Sequence, residues 1–207
     1  MKPFLEKLKN RGLLNKSLER AFLKINREDF LPKKVKRSAK ENKPLLIGNG
    51  QTNSQPSVVA FMLSKLDLKE GDKVLDIGFG SGWTTALLAE LVGKKGDVFA
   101  IERIDELYQF GRKNVNKYGF LDEGRVEMVC GDGYKGFPGE DSFDKILVSA
   151  SLDNKPIPKV WEEQLKEGGS IVTPIKDSIY KYSKKGGKLI EEEFFGFRFV
   201  PLVKENE

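Results

Sequence analysis

The 207-residue sequence contains no histidine. Without an imidazole, the chain cannot build a Ser-His-Asp triad, a Cys-His pair or a histidine-based zinc site, and we predict no metal site. The single cysteine, Cys130, excludes an internal disulfide framework. Because Cys130 ends a short apolar stretch, we expect it to be a buried core residue and not a nucleophile.

Long apolar runs are also missing. No stretch approaches the roughly 18 residues that a membrane-spanning helix needs, and the N-terminus alternates charged with apolar residues. We therefore expect a cytoplasmic protein without a membrane partner. The net charge of +5 comes from scattered lysines, which fit either a solvated surface or an anionic partner such as a carboxylate or a nucleic acid.

The chain is expected to form one domain over residues 1–207, with three regions. Residues 1–55 carry apolar residues at helical spacing from Phe4 to Phe22, followed by a glycine-punctuated loop over 33–55. Residues 56–175 form the expected cofactor-binding core, and residues 176–207 the expected antiparallel strands. Ser54 is predicted to lie near the N-cap of a helix that has Pro56 in its first turn.

From residue 70 onward, strand-like and helix-like segments alternate. The predicted strands cover 73–77, 97–101, 126–130, 143–149 and 170–174, and the predicted helices cover 83–92, 105–118 and 158–165. A hairpin is expected to turn at Gly186-Gly187. Alternation of this kind indicates an α/β protein with a Rossmann-like, doubly wound, mostly parallel seven-stranded sheet, an antiparallel edge and N-terminal helices.

A glycine-rich turn, Gly78-Phe79-Gly80-Ser81-Gly82, joins the first of these strands to a helix. Glycines at such a point let the backbone turn tightly and approach a ligand. A dinucleotide fingerprint would place glycine or alanine at the next position, where this chain has Trp83. The pattern therefore favours a nucleotide-like ligand without a pyrophosphate, and S-adenosylmethionine fits that description.

Two acidic residues follow the next two strands. Glu102 lies 20 residues after Gly82, where a carboxylate can accept both ribose hydroxyls, and Asp132 in Gly131-Asp132-Gly133 can accept the adenine amine. Asp76 is either an anchor for the glycine turn or a contact to the amino-acid end of the cofactor. The predicted cofactor-binding residues are Gln51, Thr52, Asp76, Gly78, Gly80, Ser81, Gly82, Glu102, Arg103, Asp132 and Gly133.

Six segments occur in the order REDFLP, PLLIGNGQTNSQP, VLDIGFGSGW, AIERIDEL, GDGYKGFP and FRFVPL. Together they resemble the protein-L-isoaspartate O-methyltransferases over about residues 20–203. The resemblance implies methyl transfer from S-adenosylmethionine to the free α-carboxylate of L-isoaspartyl residues in damaged peptides and proteins. The ester would then collapse to a succinimide that hydrolyses partly to aspartate. Ser54 matches the active-site serine of the family, and Gly78, Gly80, Glu102 and Asp132 match its cofactor contacts.

The chain departs from the family on the substrate side. Asn53 stands where a β-branched apolar residue is usual, and residues 149–155 differ from the usual Thr-Ala-Ala stretch. Isoaspartyl repair is the first hypothesis, with Ser54 orienting a carboxylate that is already ionised at neutral pH. The alternatives are a methyltransferase with a different acceptor and a homologue that binds the cofactor without catalysis. We expect a monomer. We expect no nucleic-acid partner, because no Asn/Asp-Pro-Pro-aromatic motif, which would hold a flipped base, follows the strand at 143–149.

Overall fold

The computed structural model describes residues 6, 8–10 and 12–203. Phe4 and Leu5, part of the predicted N-terminal helical pattern, lie outside these residues. Residues 6 and 8–10 are helical. The α-helices that follow are α1 Lys16–Lys24, α2 Pro56–Leu66, α3 Trp83–Val92, α4 Asp105–Asn116 and α5 Lys159–Glu163. The strands are β1 Leu45–Gly48, β2 Gln51–Asn53, β3 Lys73–Ile77, β4 Asp97–Glu102, β5 Val126–Cys130, β6 Phe143–Val148, β7 Leu165–Ile175, β8 Ser178–Lys185 and β9 Lys188–Phe195.

Seven strands form the main sheet in the order β5-β4-β3-β6-β7-β8-β9. The first five of this order pair in parallel, whereas β7-β8 and β8-β9 are antiparallel. The predicted fold class is thereby confirmed, including the antiparallel edge and the turn at Gly186-Gly187. The parallel strands β3, β4, β5 and β6 all point their carboxyl ends toward one edge, which is where ligands bind in open α/β sheets.

The helices cover the sheet with apolar faces. Helix α3 is buried on nearly all sides, in keeping with its sequence WTTALLAELV, and packs with α1, α2 and α4 in one hydrophobic cluster. In α1 the buried positions are Leu18, Ala21 and Phe22, which recur at helical spacing as expected. The N-terminal region therefore packs against the same core as the sheet.

Two local predictions were wrong, and a third is confirmed only in part. Residues 33–55 are not one irregular loop, because β1 and β2 form an antiparallel hairpin within them. Ser54 lies beside the N-cap of α2 and Pro56 is in the first turn, as predicted, but the N-cap itself is Gln55, and the N–H of Ser57 bonds to Asn42 Oδ1 at 3.0 Å. Cys130 is exposed, because it is the last residue of β5, which is the edge strand of the sheet.

The predicted helix at 158–165 is shorter than expected, and α5 ends at Glu163. The chain enters β7 at Leu165, and the residues between Leu165 and Ser170 interrupt the register with β6. Gly168, with φ at 78°, lies in this irregularity and does not close the helix.

Candidate functional site

A cavity opens at the carboxyl edge of β3 and β4. Seven of the predicted site residues line it: Gln51, Thr52, Gly78, Gly80, Glu102, Arg103 and Gly133. Five predicted residues lie outside its lining: Ser54, Asp76, Ser81, Gly82 and Asp132. Sequence reasoning missed the residues that close the cavity from above, which include Ile47, Ser149, Ala150 and Val200 to Val203.

The glycine turn is packed too tightly for side chains. Gly82 has φ at 84°, and a Cβ there would lie 2.7 Å from Val115 Cγ2 and 2.9 Å from the carbonyl oxygen of Gly111. A Cβ on Gly80, where φ is 54°, would lie 3.1 Å from Ile47 Cδ1. The missing side chains therefore let α4 press against the turn from one side and leave room for a ligand on the other.

Glu102 is buried and holds the turn from the next strand. Its Oε2 accepts the N–H of Gly80 at 2.8 Å, and its Oε1 accepts the N–H of Ile104 at 3.0 Å. Burial raises the pKa of this carboxyl group, and backbone hydrogen bonds from Ile104, Gly80 and Arg103 oppose that rise. A carboxylate has about four acceptor positions, so beside these backbone bonds Glu102 can still receive a hydroxyl donor from a ligand in the cavity.

Asp76 lies beneath the turn with no exposed surface. Its Oδ2 accepts the hydroxyls of Thr85 at 2.7 Å and Thr84 at 3.1 Å, both on the first turn of α3, and its Oδ1 accepts the Ser149 hydroxyl at 3.4 Å. Burial raises the pKa of Asp76 to about 6, against the effect of these hydrogen bonds. Of the two roles left open for Asp76, this geometry favours the anchor, because its contacts join β3, α3 and the end of β6.

Asp132 has a local structural role. Its Oδ1 accepts the N–H of Tyr134 at 2.9 Å and caps the short 3-10 helix Gly133–Lys135. Its neighbour Gly133 lines the cavity, so the Asp132 side chain lies one residue away from the lining.

Ser54 and Ser81 face a smaller cavity between β2 and the glycine turn, which Thr52, Gly78 and Trp83 also line. On its other side Ser54 lines a wide, open groove, lined as well by Phe61, Phe197, Arg198 and Phe199. Thr52 lines both cavities and the groove. Residues 52–54 therefore separate the cavity at the glycine turn from the groove that is open to solvent.

The last described residues form one wall of the site. The N–H of Ser151 bonds to Val200 O and the N–H of Leu202 bonds to Ser151 O, both at 2.8 Å, so residues 200–202 run beside the segment after β6. Val200 lines both the cavity and the groove. These residues belong to the FVPL segment, 199–202. Its sequence has no periodicity or spacing that would predict its position next to the glycine turn.

Comparisons with known proteins show which family this chain is similar to. A protein-family model described as Protein-L-isoaspartate(D-aspartate) O-methyltransferase matches residues 1–207. The chain is 44% identical to the protein-L-isoaspartate O-methyltransferase of Thermococcus onnurineus over 98% of this chain and 92% of that protein. It is 40% identical to the protein of the same name from Thermosipho melanesiensis, over 96% and 99% of the two chains.

Among solved structures, the chain resembles a Plasmodium falciparum protein described as a protein-L-isoaspartate O-methyltransferase in complex with S-adenosyl-L-homocysteine. The TM-score is 0.87 at 27% identity, covering 99% of this chain and 98% of that one. A second structure, described as protein-L-isoaspartate O-methyltransferase, also gives a TM-score of 0.87, at 32% identity, covering 97% of this chain and 65% of that one.

Proposed function

Because the chain belongs to the protein-L-isoaspartate(D-aspartate) O-methyltransferase family, we propose that it methylates the free α-carboxylate of L-isoaspartyl residues in peptides and proteins. This proposal rests on the positions of Thr52 and Ser54. These residues lie between a cavity at the glycine turn and an open groove, as a transfer between a small donor and a polypeptide acceptor requires.

The residues of the cavity fit S-adenosylmethionine, which supplies an electrophilic methyl group on a sulfonium. Gly78 and Gly80 leave the backbone open to the ligand, and a Cβ on Gly80 would crowd Ile47 at 3.1 Å. Glu102 would accept a ribose hydroxyl at the acceptor position that its backbone hydrogen bonds leave open. Asp132 would accept the adenine amine with Oδ2, because its Oδ1 is engaged at the Tyr134 N–H.

The remaining predicted residues have proposed roles that follow from where they lie. Gln51, Thr52, Arg103 and Gly133 would contact the cofactor from the cavity wall. Ser81 and Gly82 would set the shape of the turn, and Asp76 would hold the turn from below. None of these roles uses an acid or a base in the reaction.

The acceptor is an ionised carboxylate at neutral pH, with a pKa near 3.5, so it needs no general base. This agrees with a chain that has no histidine. What the protein must do is bring two reactants together, align them and exclude water. Ser54 would donate a hydrogen bond that orients the carboxylate, without forming a covalent bond to it. Phe61, Phe197 and Phe199 would bind the chain that flanks the isoaspartyl residue.

The partner, state and location of the protein are part of the proposal. The groove beside Ser54 is wide and partly apolar, which suits a flexible peptide segment as partner. No helix among the described residues is long and apolar enough to cross a membrane. We propose a monomer that acts in the cytoplasm on peptides and proteins, with no nucleic-acid partner.

Radiolabelled methyl transfer tests the function directly. An isoaspartyl peptide and its aspartyl twin differ only in which carboxylate is free, so they form a matched pair of acceptors. We expect base-labile label on the isoaspartyl peptide alone. Label on both peptides would favour a different acceptor specificity. No label on either, with S-adenosylhomocysteine still bound in calorimetry, would favour a homologue without catalysis.

A further inference from the structure

Arg27 is a buried cation that binds the segment before Ser54. It has no exposed surface, and its guanidinium donates to the main-chain oxygens of Glu41 at 3.0 Å, Lys43 at 2.8 Å and Ser54 at 2.9 Å. It also donates to Asn53 Oδ1 at 2.7 Å and to the Asn53 main-chain oxygen at 3.1 Å. One side chain thus fixes both ends of the hairpin formed by β1 and β2.

Asn53 carries this contact on to the glycine turn. Its Oδ1 accepts from Arg27, and its Nδ2 donates to Ser81 Oγ at 3.0 Å. Asn53 and Ser81 are 4% and 2% exposed, so water does not compete for these bonds. A side-chain amide can donate and accept at once, whereas an aliphatic side chain would make neither bond. The side chains of Arg27, Asn53 and Ser81 form a continuous buried bridge, called the 27–53–81 bridge below.

Arg27 is itself held by a part of the molecule remote from the hairpin. It begins the 3-10 helix Arg27–Phe30, which is attached to Tyr118 beyond the end of α4. The Tyr118 hydroxyl donates to Asp29 Oδ2 at 2.7 Å and accepts the N–H of Asn26 at 2.8 Å. The guanidinium also lies 5.4 Å from the centre of the Trp83 ring, at the start of α3. The bridge therefore has a fixed end in the core.

We propose that Arg27 and Asn53 are positioning residues that couple the two halves of the site, an inference that rests on the proposed function. A ligand that orders the glycine turn also orders Ser81 and, through Asn53, the main chain at Ser54. The acceptor then binds to a segment that is already ordered, so each ligand strengthens binding of the other. Occupancy of the cofactor cavity tightens binding of the isoaspartyl peptide in the groove by about tenfold, within the usual range of such couplings.

Calorimetry on the full chain tests the coupling. The dissociation constant of S-adenosylhomocysteine is measured with and without saturating isoaspartyl peptide, and the ratio of the two values should be about ten in the wild type. In Asn53→Leu the ratio should fall to within about twofold of one, and S-adenosylhomocysteine alone should bind about fivefold more weakly, because a hydrogen bond to the turn is lost. Ser81→Ala should lower the ratio and the S-adenosylhomocysteine affinity to the same extent. The double variant should show no further loss, because both changes break the same hydrogen bond.

Two further variants separate positioning from general stability. Asn53→Asp can accept from both Arg27 and the Ser81 hydroxyl, so it should retain most of the coupling. Leu165→Ala shortens a buried side chain at the start of β7, at the opposite edge of the sheet from the glycine turn, so it should lower the melting temperature and leave the ratio near ten.

The outcomes distinguish this inference from the proposed function. A wild type that methylates the isoaspartyl peptide but shows a ratio of one would overturn the coupling and leave the function standing. The same holds if folded Asn53→Leu keeps the wild-type ratio. If the wild type methylates no isoaspartyl peptide, the proposed function is wrong. The role of the 27–53–81 bridge is then tested only by how Ser81→Ala and Asn53→Leu change the affinity for S-adenosylhomocysteine. Unchanged affinity in both would overturn it.

Discussion

The two halves of the site are built in different ways. The cofactor side, meaning the glycine turn 78–82 with Asp76 and Glu102, is fixed by backbone conformation and by buried carboxylates on adjacent parallel strands. The acceptor side, meaning Asn53 and Ser54 with residues 196–199, is fixed by contacts between segments far apart in the chain, above all those of Arg27. Regular strands position the first half, and single side chains position the second.

The largest expected effect falls on the acceptor side. Arg27→Met leaves buried main-chain oxygens and the Asn53 amide without their donor, which should lower the free energy of unfolding by about 4 kcal/mol. Urea denaturation measures this. Arg20→Met changes an exposed arginine on α1 and should cost less than about 0.5 kcal/mol. Equal losses in the two variants would mean that the acceptor side does not depend on Arg27.

The next effect falls on the cofactor side. Gly82→Ala forces a side chain into left-handed backbone conformation and into contact with Val115 and Gly111 O, so stability should drop by about 3 kcal/mol. Gly50→Ala is the matched control on the hairpin, because φ there is 70° but nothing lies within 4 Å of the added Cβ. It should cost about 1 kcal/mol in the same denaturation assay. Similar losses would contradict the view that the turn is limited by packing.

These two sides also differ in how far they can be read from sequence. Local patterns at fixed spacing predict the glycine turn, Glu102 and the alternation of strands and helices. The structure places Gly78, Gly80 and Glu102 around one cavity, as expected. The contacts of Arg27 join residues up to 27 positions apart and follow no period. The sequence marks Asn53 only as a departure from the family and Arg27 only as part of the REDFLP segment, and it predicts no contact between them.

The errors have the same origin. Ser54 before Gln55-Pro56 has the chemistry of a helix cap, but Asn42, from the loop before β1, supplies that acceptor instead. An apolar strand predicts a buried Cys130, but β5 is the edge strand and Cys130 is its exposed last residue. In both cases the position of the segment in the fold decided what a short sequence window could not show.

A third prediction concerns the anchor of the glycine turn. Burial raises the pKa of Asp76 from 3.8 to about 6, so between these values the folded chain binds more protons than the unfolded chain, and stability falls as pH rises. Asp76→Asn removes this effect. It should match the wild type below about pH 4 and be more stable by about 2–3 kcal/mol above about pH 6.

Denaturation at a series of pH values measures this difference. Asp141→Asn, which removes an exposed carboxyl group, is the control for the loss of one negative charge. An Asp76→Asn variant that is less stable than the wild type at pH 7 would mean that the ionised group is needed to hold Thr84 and Thr85.

The fourth prediction separates the two sides by function. Ser54→Ala removes the hydroxyl that would orient the acceptor carboxylate, so kcat/KM for the isoaspartyl peptide should fall about 30-fold, as for the loss of one bond to a charged group. The Ser54 main-chain oxygen still accepts from Arg27, so the segment should stay in place. Affinity for S-adenosylhomocysteine should change by less than about twofold. A large loss of that affinity would assign Ser54 to the cofactor side.

The smallest expected effect is on the cofactor side, where cofactor affinity should fall while kcat is retained. Asp132→Ala removes both the cap on the Tyr134 N–H and the oxygen proposed to accept the adenine amine, so S-adenosylhomocysteine should bind about tenfold more weakly. The kcat at saturating cofactor should hold, because Asp132 lies away from the groove. Asp132→Ser is the control, because its hydroxyl can still accept the Tyr134 N–H but cannot reach as far as a carboxylate. If Asp132→Ser restores full affinity, the cap alone matters, and the cofactor side would then rest on Glu102 and the glycine turn.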